Sequence, residues 1–164
     1  RPLRLNDPGL LFAGLETAEL IKYAANSFLA TKITFINEIA DLCEEVGADV
    51  QVVAKGIGLD GRIGAKFLNA GPGYGGSCFP KDTLALSRTA EQASSPVTIV
   101  DAVIAANERR KRRMAHAVIE AAGGSVMGKT IAILGLTAAA VAAWPRPDPK
   151  EAPGPVRVKD RRRR

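Results

Sequence analysis

The feature that most constrains the fold is a run of 29 residues, Ala18–Val46, without glycine or proline. Thr17 can cap a helix at its start, and Gly47 can end one. The run therefore predicts one helix of about 43 Å at 1.5 Å per residue. A helix this apolar must be covered on more than one side, which favours a central, packed or dimer-forming element. The apolar residues are Leu20, Ile21, Ala24, Ala25, Phe28, Ile36, Ile39 and Cys43.

Shorter helices are predicted downstream by the same start and stop signals. Asp49 can cap a helix at its start, and Pro80 favours a first helical turn. A short apolar run at 130–134 has the composition of a strand. The chain is therefore predicted to be mainly α-helical, with further helices over 49–55, 81–93 and 95–122.

The composition places the chain among globular proteins. Apolar residues make up 46% and charged residues 24% of its 164 residues, enough for one domain with a core. No apolar run reaches the length of a transmembrane helix. The two cysteines, Cys43 and Cys78, make neither a disulfide framework nor a zinc site. We expect a cytoplasmic protein without a structural metal.

The net charge of +6 is unevenly distributed. Residues 1–137 carry 15 Lys/Arg against 14 Asp/Glu, whereas residues 138–164 carry 8 against 3. The body is nearly neutral and needs no polyanionic partner, so binding of nucleic acid through the basic tail is only a weaker alternative. The tail is proline-rich and is predicted to be disordered.

Glycines concentrate before the second cysteine. Eight of the chain's 16 glycines lie between Gly56 and Gly76, which is typical of a loop that wraps a ligand. Cys78 follows, just ahead of a predicted helix start and near Lys81. Both features favour the nucleophilic thiolate. A small residue at a turn is an equally good interpretation from local chemistry.

Lys22 and Asn26 are four residues apart and share one face of the long helix. A lysine that extends its stem along the surface is the more common explanation for Lys22. Asn26 is harder to explain, because asparagine has poor propensity inside a helix and needs a partner.

Several other motifs are given structural interpretations. Residues 123–130 fit a phosphate-binding loop by letter, but a helix precedes them and a strand-like run follows, which is the wrong order. Residues 109–113 are basic and are predicted to form a solvated helix face. Cys43 and His116 are interpreted as structural.

Two long motifs give the chain a resemblance. Residues 18–38 read AELIKYAANSFLATKITFINE, and residues 67–82 read FLNAGPGYGGSCFPKD. Together they closely resemble the UDP-glucose/GDP-mannose dehydrogenase family, over residues 1–137. The run GYGGSCFP is closer to the UDP-glucose branch than to the GDP-mannose branch.

The resemblance implies oxidation of UDP-glucose to UDP-glucuronate by two NAD⁺. Cys78 would be the nucleophile, Lys22 and Asn26 would stabilise the reacting oxygen, and Asp82 would assist proton transfer. Lys81 would lie near the nicotinamide cofactor. Substrate binding would also involve Arg62, Phe67, Leu68, Asn69, Ala70, Gly71 and Gly75, besides Lys22 and Asn26.

The resemblance also implies a domain organisation. Residues 1–14 would be the trailing edge of a Rossmann domain and 15–124 a central helical dimerisation domain that carries the cysteine. Residues 125–137 would be the first strand of a nucleotide-sugar domain, followed by the tail at 138–164. The dinucleotide-binding glycine fingerprint is expected to lie outside this chain.

The chain is therefore expected to be a truncated or frame-shifted part of a longer homodimeric enzyme, inactive alone. Ala139 stands where the family has a lysine. The alternatives are a non-catalytic helical dimerisation module and a dehydrogenase for GDP-mannose or another nucleotide sugar.

Overall fold

The computed structural model describes residues 11–132, and within that range the secondary structure is entirely helical. This confirms the mainly α fold class. The predicted strand at 130–134 is wrong for residues 130–132, which are irregular, and its last two residues lie outside the described range. Residues 1–10 and the tail at 138–164 also lie outside it. The helices are α1 (Leu15–Val46), α2 (Val50–Gly58), α3 (Phe79–Gln92) and α4 (Thr98–Ala121).

Helix α1 is 32 residues long and begins earlier than the sequence predicts. Gly14, with extended backbone, is the residue before the helix, so Thr17 lies inside the first turn and does not cap it. The end is as predicted. Gly47 adopts a left-handed conformation with φ of 73°, which glycine reaches without steric cost.

Helix α2 is capped as predicted and ends later. The Asp49 side chain accepts a hydrogen bond from the Gln51 amide at 2.8 Å. The helix continues through Gly56 to Gly58, because one glycine inside a helix costs only about 1 kcal/mol.

The break between α3 and α4 is longer than predicted. Pro80 lies in the first turn of α3, as expected. The amide of Ser95 donates to the carbonyl of Ala90 at 2.9 Å and so completes the end of α3. The first hydrogen bonds of α4 run from the amides of Val100 and Asp101 to the carbonyl of Val97, so this helix begins only at Thr98.

Two small hydrophobic clusters line the buried side of α1. The first joins Ala30 to Tyr74 and Val103, with Ile33 and Phe79 packed against it. The second joins Ile36 to Ala54 and Leu68, with Ile39, Val50, Ile57 and Ala70 around it. Since Tyr74 and Leu68 belong to the connection between α2 and α3, that loop is part of the core.

The chain divides into two compact units, one up to Arg112 and one from Arg113 onward. In the second unit, Gly124 donates its amide to the Ile119 carbonyl at 2.9 Å, and the Lys129 ammonium donates to the Ala122 carbonyl. A helix precedes residues 123–130, as predicted. Among residues 11–132, no helix is both long and apolar enough to cross a membrane.

Candidate active site

The buried carboxylate of Asp82 is the centre of the site. Asp82 lies in the first turn of α3 and is inaccessible to solvent. Its Oδ2 accepts a hydrogen bond of 2.6 Å from Nδ2 of Asn26 on α1. The packing of α1 on α3 thus joins two residues that are 56 positions apart, and it supplies the partner that Asn26 requires.

Two lysines complete this network. Nζ of Lys22 lies 3.5 Å from Oδ2 of Asp82, and Nζ of Lys81 lies 3.9 Å from Oδ1. Both lysine side chains are more than half exposed, so they can also reach a ligand.

The environment keeps the Asp82 carboxylate ionised. The hydrogen bond from Asn26 holds the pKa of Asp82 below its usual value, and the charges of Lys22 and Lys81 act in the same direction against the effect of burial. One oxygen remains available: Oδ1 is buried and accepts no hydrogen bond within the described residues. A buried carboxylate oxygen needs a donor, so Oδ1 is suited to accept from a water or a substrate hydroxyl.

Cys78 lies at the start of the same helix. It is the residue immediately before α3, its thiol is free and exposed, and its carbonyl accepts the Asp82 amide at 2.8 Å. Its sulfur is 3.8 Å from the Ser77 hydroxyl. Cys78 and Asp82 therefore share one helical turn, with a thiol at its open end and a carboxylate buried behind it.

The glycine-rich loop before Cys78 is fixed by side chains that sequence reasoning missed. Oδ1 of Asn37 accepts from the Gly71 amide at 2.7 Å, and Nε of Arg110 donates to the Gly71 carbonyl at 2.9 Å. Asn107 bonds both backbone groups of Tyr74. Its Oδ1 accepts from the Tyr74 amide at 2.7 Å, and its Nδ2 donates to the Tyr74 carbonyl at 3.1 Å. The sequence signal for these contacts was an asparagine inside a predicted helix, which needs a hydrogen-bond partner, as Asn26 does.

The prediction of a solvated basic face at 109–113 is wrong for Arg110. Its side chain is buried and also pairs with the Asp41 carboxylate. It lies seven residues after Val103 and four after Ala106, so it belongs to the buried face of α4. Its neighbours Arg109 and Lys111 are exposed, as predicted.

Arg62 is not joined to the network around Asp82 by any hydrogen bond or ion pair of the described residues. Its guanidinium is exposed and forms a hydrogen-bonded ion pair with the carboxylate of Asp60, with a shortest N–O distance of 2.6 Å. This contact holds the pKa of Asp60 below its usual value.

The other predicted substrate residues are divided between surface and core. Asn69 and Gly75 are exposed, whereas Leu68 is buried in the second cluster, so its side chain supports the loop. Phe67 has a φ of 65°, rare for a residue with a side chain, and its ring meets Phe79 edge to face at 6.2 Å. Gly71 and Ala70 are half-buried.

One glycine run in the chain has the spacing of the dinucleotide fingerprint but not its structural context. Gly71, Gly73 and Gly76 do have its Gly-x-Gly-x-x-Gly spacing. The fingerprint requires a strand before it and a helix opening directly after it. Among the described residues no strand precedes Gly71, and α3 opens only at Phe79, so this loop is not that motif.

A helical domain with an exposed cysteine at a helix start, in the same turn as a buried carboxylate held by asparagine and lysine, is a candidate site for covalent catalysis by a thiolate. Residues 16–109 match the UDP-glucose/GDP-mannose dehydrogenase family, central domain. This match covers more than half of the chain, and the chain belongs to this family.

The similar proteins are named as dehydrogenases of UDP-glucose. A UDP-glucose 6-dehydrogenase of Rhizobium meliloti is 66% identical over 137 residues, which are 84% of this chain and 31% of that protein. The UDP-glucose 6-dehydrogenase TuaD of Bacillus subtilis is 58% identical over 74% of this chain and 26% of its own length. The solved structure of a UDP-glucose dehydrogenase from the archaeon Pyrobaculum islandicum aligns with a TM-score of 0.62 and 46% identity, over 65% of this chain and 25% of that one. The chain thus spans about a quarter to a third of the length of these relatives.

Proposed function

We propose that this chain supplies the catalytic-cysteine domain of an NAD-dependent UDP-glucose 6-dehydrogenase, which oxidises UDP-glucose to UDP-glucuronate. The observation that carries the proposal is the shared first turn of α3, where exposed Cys78 stands beside buried Asp82 and its partners Asn26 and Lys22. The names of the relatives support the substrate.

Each group has a distinct task in this reaction. After the first oxidation turns the C6 alcohol into an aldehyde, the Cys78 thiolate adds to it and a C–S bond forms. The resulting thiohemiacetal is oxidised to a thioester, and water then cleaves the C–S bond to release the carboxylate and the thiol. Lys22 and Asn26 stabilise the oxyanion at C6. Oδ1 of Asp82 accepts a proton through a water.

NAD, when bound, supplies the hydride acceptor for both oxidations. This chain's own contribution to holding it is the exposed cation of Lys81, which suits an anionic dinucleotide. Because the described residues offer no dinucleotide fold, the rest of the cofactor site belongs to other segments of the enzyme. We therefore expect no NADH production from the 164-residue chain alone.

The nucleotide sugar lies along the loop between α2 and α3. Backbone groups of residues 67–70 and Gly75 face it, and Gly71, whose amide and carbonyl are bonded to Asn37 and Arg110, fixes the path of the loop around it. The exposed guanidinium of Arg62 exchanges Asp60 for the substrate of a partner subunit. Exposed glycines allow the close approach that such contacts need.

The enzyme is a cytoplasmic homodimer that associates through the outer side of α1. Large apolar side chains remain exposed along this helix over several turns, and an apolar patch of this kind marks an interaction surface. They are Leu20, Ile21, Phe28, Phe35, Leu42 and Val46.

The test is a full-length chimera in which residues 1–137 replace the matching segment of the Rhizobium meliloti relative. Steady NADH formation with UDP-glucose and NAD⁺ is the expected result. A folded chimera that turns over GDP-mannose in preference would assign a different nucleotide sugar. A folded, dimeric chimera without activity towards either would favour the non-catalytic dimerisation module and contradict the proposal.

A further inference from the structure

Asn107 on α4 makes a two-point contact with one residue of the loop. The residue is 2% exposed; its carboxamide accepts from the Tyr74 amide at 2.7 Å and donates to the Tyr74 carbonyl at 3.1 Å. A carboxamide provides one acceptor and one donor in a fixed plane, so it reproduces the pairing that a neighbouring strand would give. Tyr74 is thereby held in position and in orientation.

The residue before Tyr74 shows how closely the loop is seated. Gly73 has a φ of 117°, and a Cβ placed on it would lie 2.8 Å from Oδ1 of Asn107. Only glycine allows both the conformation and the approach. The loop backbone therefore lies directly on the Asn107 side chain.

This contact limits where Cys78 can be. The Tyr74 ring meets the ring of Phe79 at 6.1 Å, and Phe79 is the first residue of α3, directly after Cys78. Tyr74 and Phe79 thus bracket the segment 75–78, whose glycines impose little order of their own. Fixing Tyr74 fixes the path that the chain takes to the thiol.

We propose that Asn107 is a positioning residue for Cys78 and for the glycine-rich loop; its effect on catalysis rests on the proposed function above. It touches no reacting group and acts through the Tyr74 backbone. Removing it frees the loop, which weakens binding of the nucleotide sugar and misplaces the thiol, because displacement by about 1 Å can cost a large part of the rate. Binding of NAD through the other segments of the enzyme is unaffected.

The first experiment uses the 164-residue chain and does not depend on activity. Hydrogen exchange of the Tyr74 amide is compared in wild type, Asn107→Ala and Asn107→Asp. Asn107→Ala should accelerate it about tenfold relative to the amides of α1. Asn107→Asp keeps the acceptor for that amide and should retain most of the protection. Leu86→Ala, a buried change on α3, controls for general destabilisation. Unchanged Tyr74 exchange in folded Asn107→Ala would overturn the proposal.

The second experiment uses the full-length chimera. Asn107→Ala should raise KM for UDP-glucose about tenfold while KM for NAD⁺ stays near wild type, and Asn107→Asp should fall between the two. Gly73→Ala should raise KM less in the Asn107→Ala background than in wild type, because the two changes disturb one contact. Additive effects, or equal rises in both KM values, would contradict a positioning role.

The two experiments also separate the two proposals. If Asn107→Ala does not fold, Asn107→Asp decides the matter: a KM for UDP-glucose equal to wild type would overturn the role of Asn107. An inactive unmutated chimera would refute the proposed function, and the exchange experiment would still test the contact.

Discussion

The two sides of α1 have opposite compositions. Its inner side, which faces the loop and α3, is built largely from small or polar residues: Ser27, Ala30, Thr34 and Asn37. Its outer side exposes large apolar ones: Leu20, Phe28, Phe35 and Leu42. Small residues let the loop backbone approach the helix closely, and polar ones bind it, as Asn37 binds Gly71. This helix therefore uses its polar surface to hold the site and leaves its apolar surface for another partner.

The largest expected effect is a loss of stability when the packing on the inner side of α1 is disrupted. Ile36 is its one large, fully buried apolar residue, with 0% exposure, and packs on Ala54 and Leu68. Ile36→Asp should lower the free energy of unfolding by more than about 4 kcal/mol, because it buries an unpaired carboxylate. Urea unfolding followed by circular dichroism measures this.

The matched control is Ile36→Val, which should cost only about 1 kcal/mol. The apolar helix by itself gives no reason to separate Ile36 from Phe28 as a dimer contact, but Ile36 is covered within its own protomer and only Phe28 is exposed to a partner. A soluble, fully helical Ile36→Asp monomer would contradict the burial described here.

The next largest effect is expected from removing the thiol of Cys78, in the site that the inner side of α1 supports. Cys78→Ser in the full-length chimera should lower turnover to the acid about a thousandfold, roughly 4 kcal/mol of barrier, since a serine hydroxyl is a poor substitute for a thiolate. The yield of UDP-glucuronate per NADH formed checks it, because the first oxidation also produces NADH. Cys43→Ala, which changes the buried cysteine of α1 away from the site, should keep turnover near wild type. Similar losses in both variants would show that the Cys78 effect is not specific.

A smaller effect is expected on the outer side. Phe28 is 64% exposed, so Phe28→Asp should leave the helices intact but weaken the dimer by about 2 kcal/mol, roughly thirtyfold in dissociation constant. Sedimentation equilibrium at about micromolar concentration measures the shift. Phe28→Leu keeps an apolar side chain and should remain mostly dimeric. A wild-type chain that is monomeric at every concentration would refute the proposed dimer surface.

The smallest effect is a pH dependence at the site. The folded-state pKa of Asp82 lies below its ordinary value of 3.8, first because of the bond from Asn26. Its contribution to stability is therefore complete above about pH 4 and is lost as pH falls through the lower, folded-state pKa. Asp82→Asn should flatten the acid limb of the unfolding curve.

Thermal unfolding between about pH 7 and pH 2 provides the measurement. Glu91→Gln, an exposed carboxylate near the end of α3, is the control and should leave the acid limb as in wild type. Identical acid limbs for wild type and Asp82→Asn would contradict the ionised, bonded state of Asp82.

Much of the local structure could be predicted from the sequence. A glycine-free and proline-free run gives α1, Gly47 gives its end, and Pro80 places Cys78 at the start of α3. These signals suffice because helix starts and stops depend on a few neighbouring residues. Thr17 and Gly56 show where they fail: each lies inside a helix, because the penalty that its residue type carries there is at most about 1 kcal/mol.

Only the tertiary structure decided which side chains meet. The sequence alone determined a long apolar helix, a glycine-rich loop and a cysteine at a helix start. It could not pair Asn26 with Asp82, nor Asn107 with Tyr74, because contacts across 33 to 56 residues depend on how the helices pack. It could not tell that Ile36 is covered within the protomer while Phe28 is exposed, nor that Arg110 is buried. Periodicity shows that a side chain shares a face with others, whereas the fold decides what covers that face.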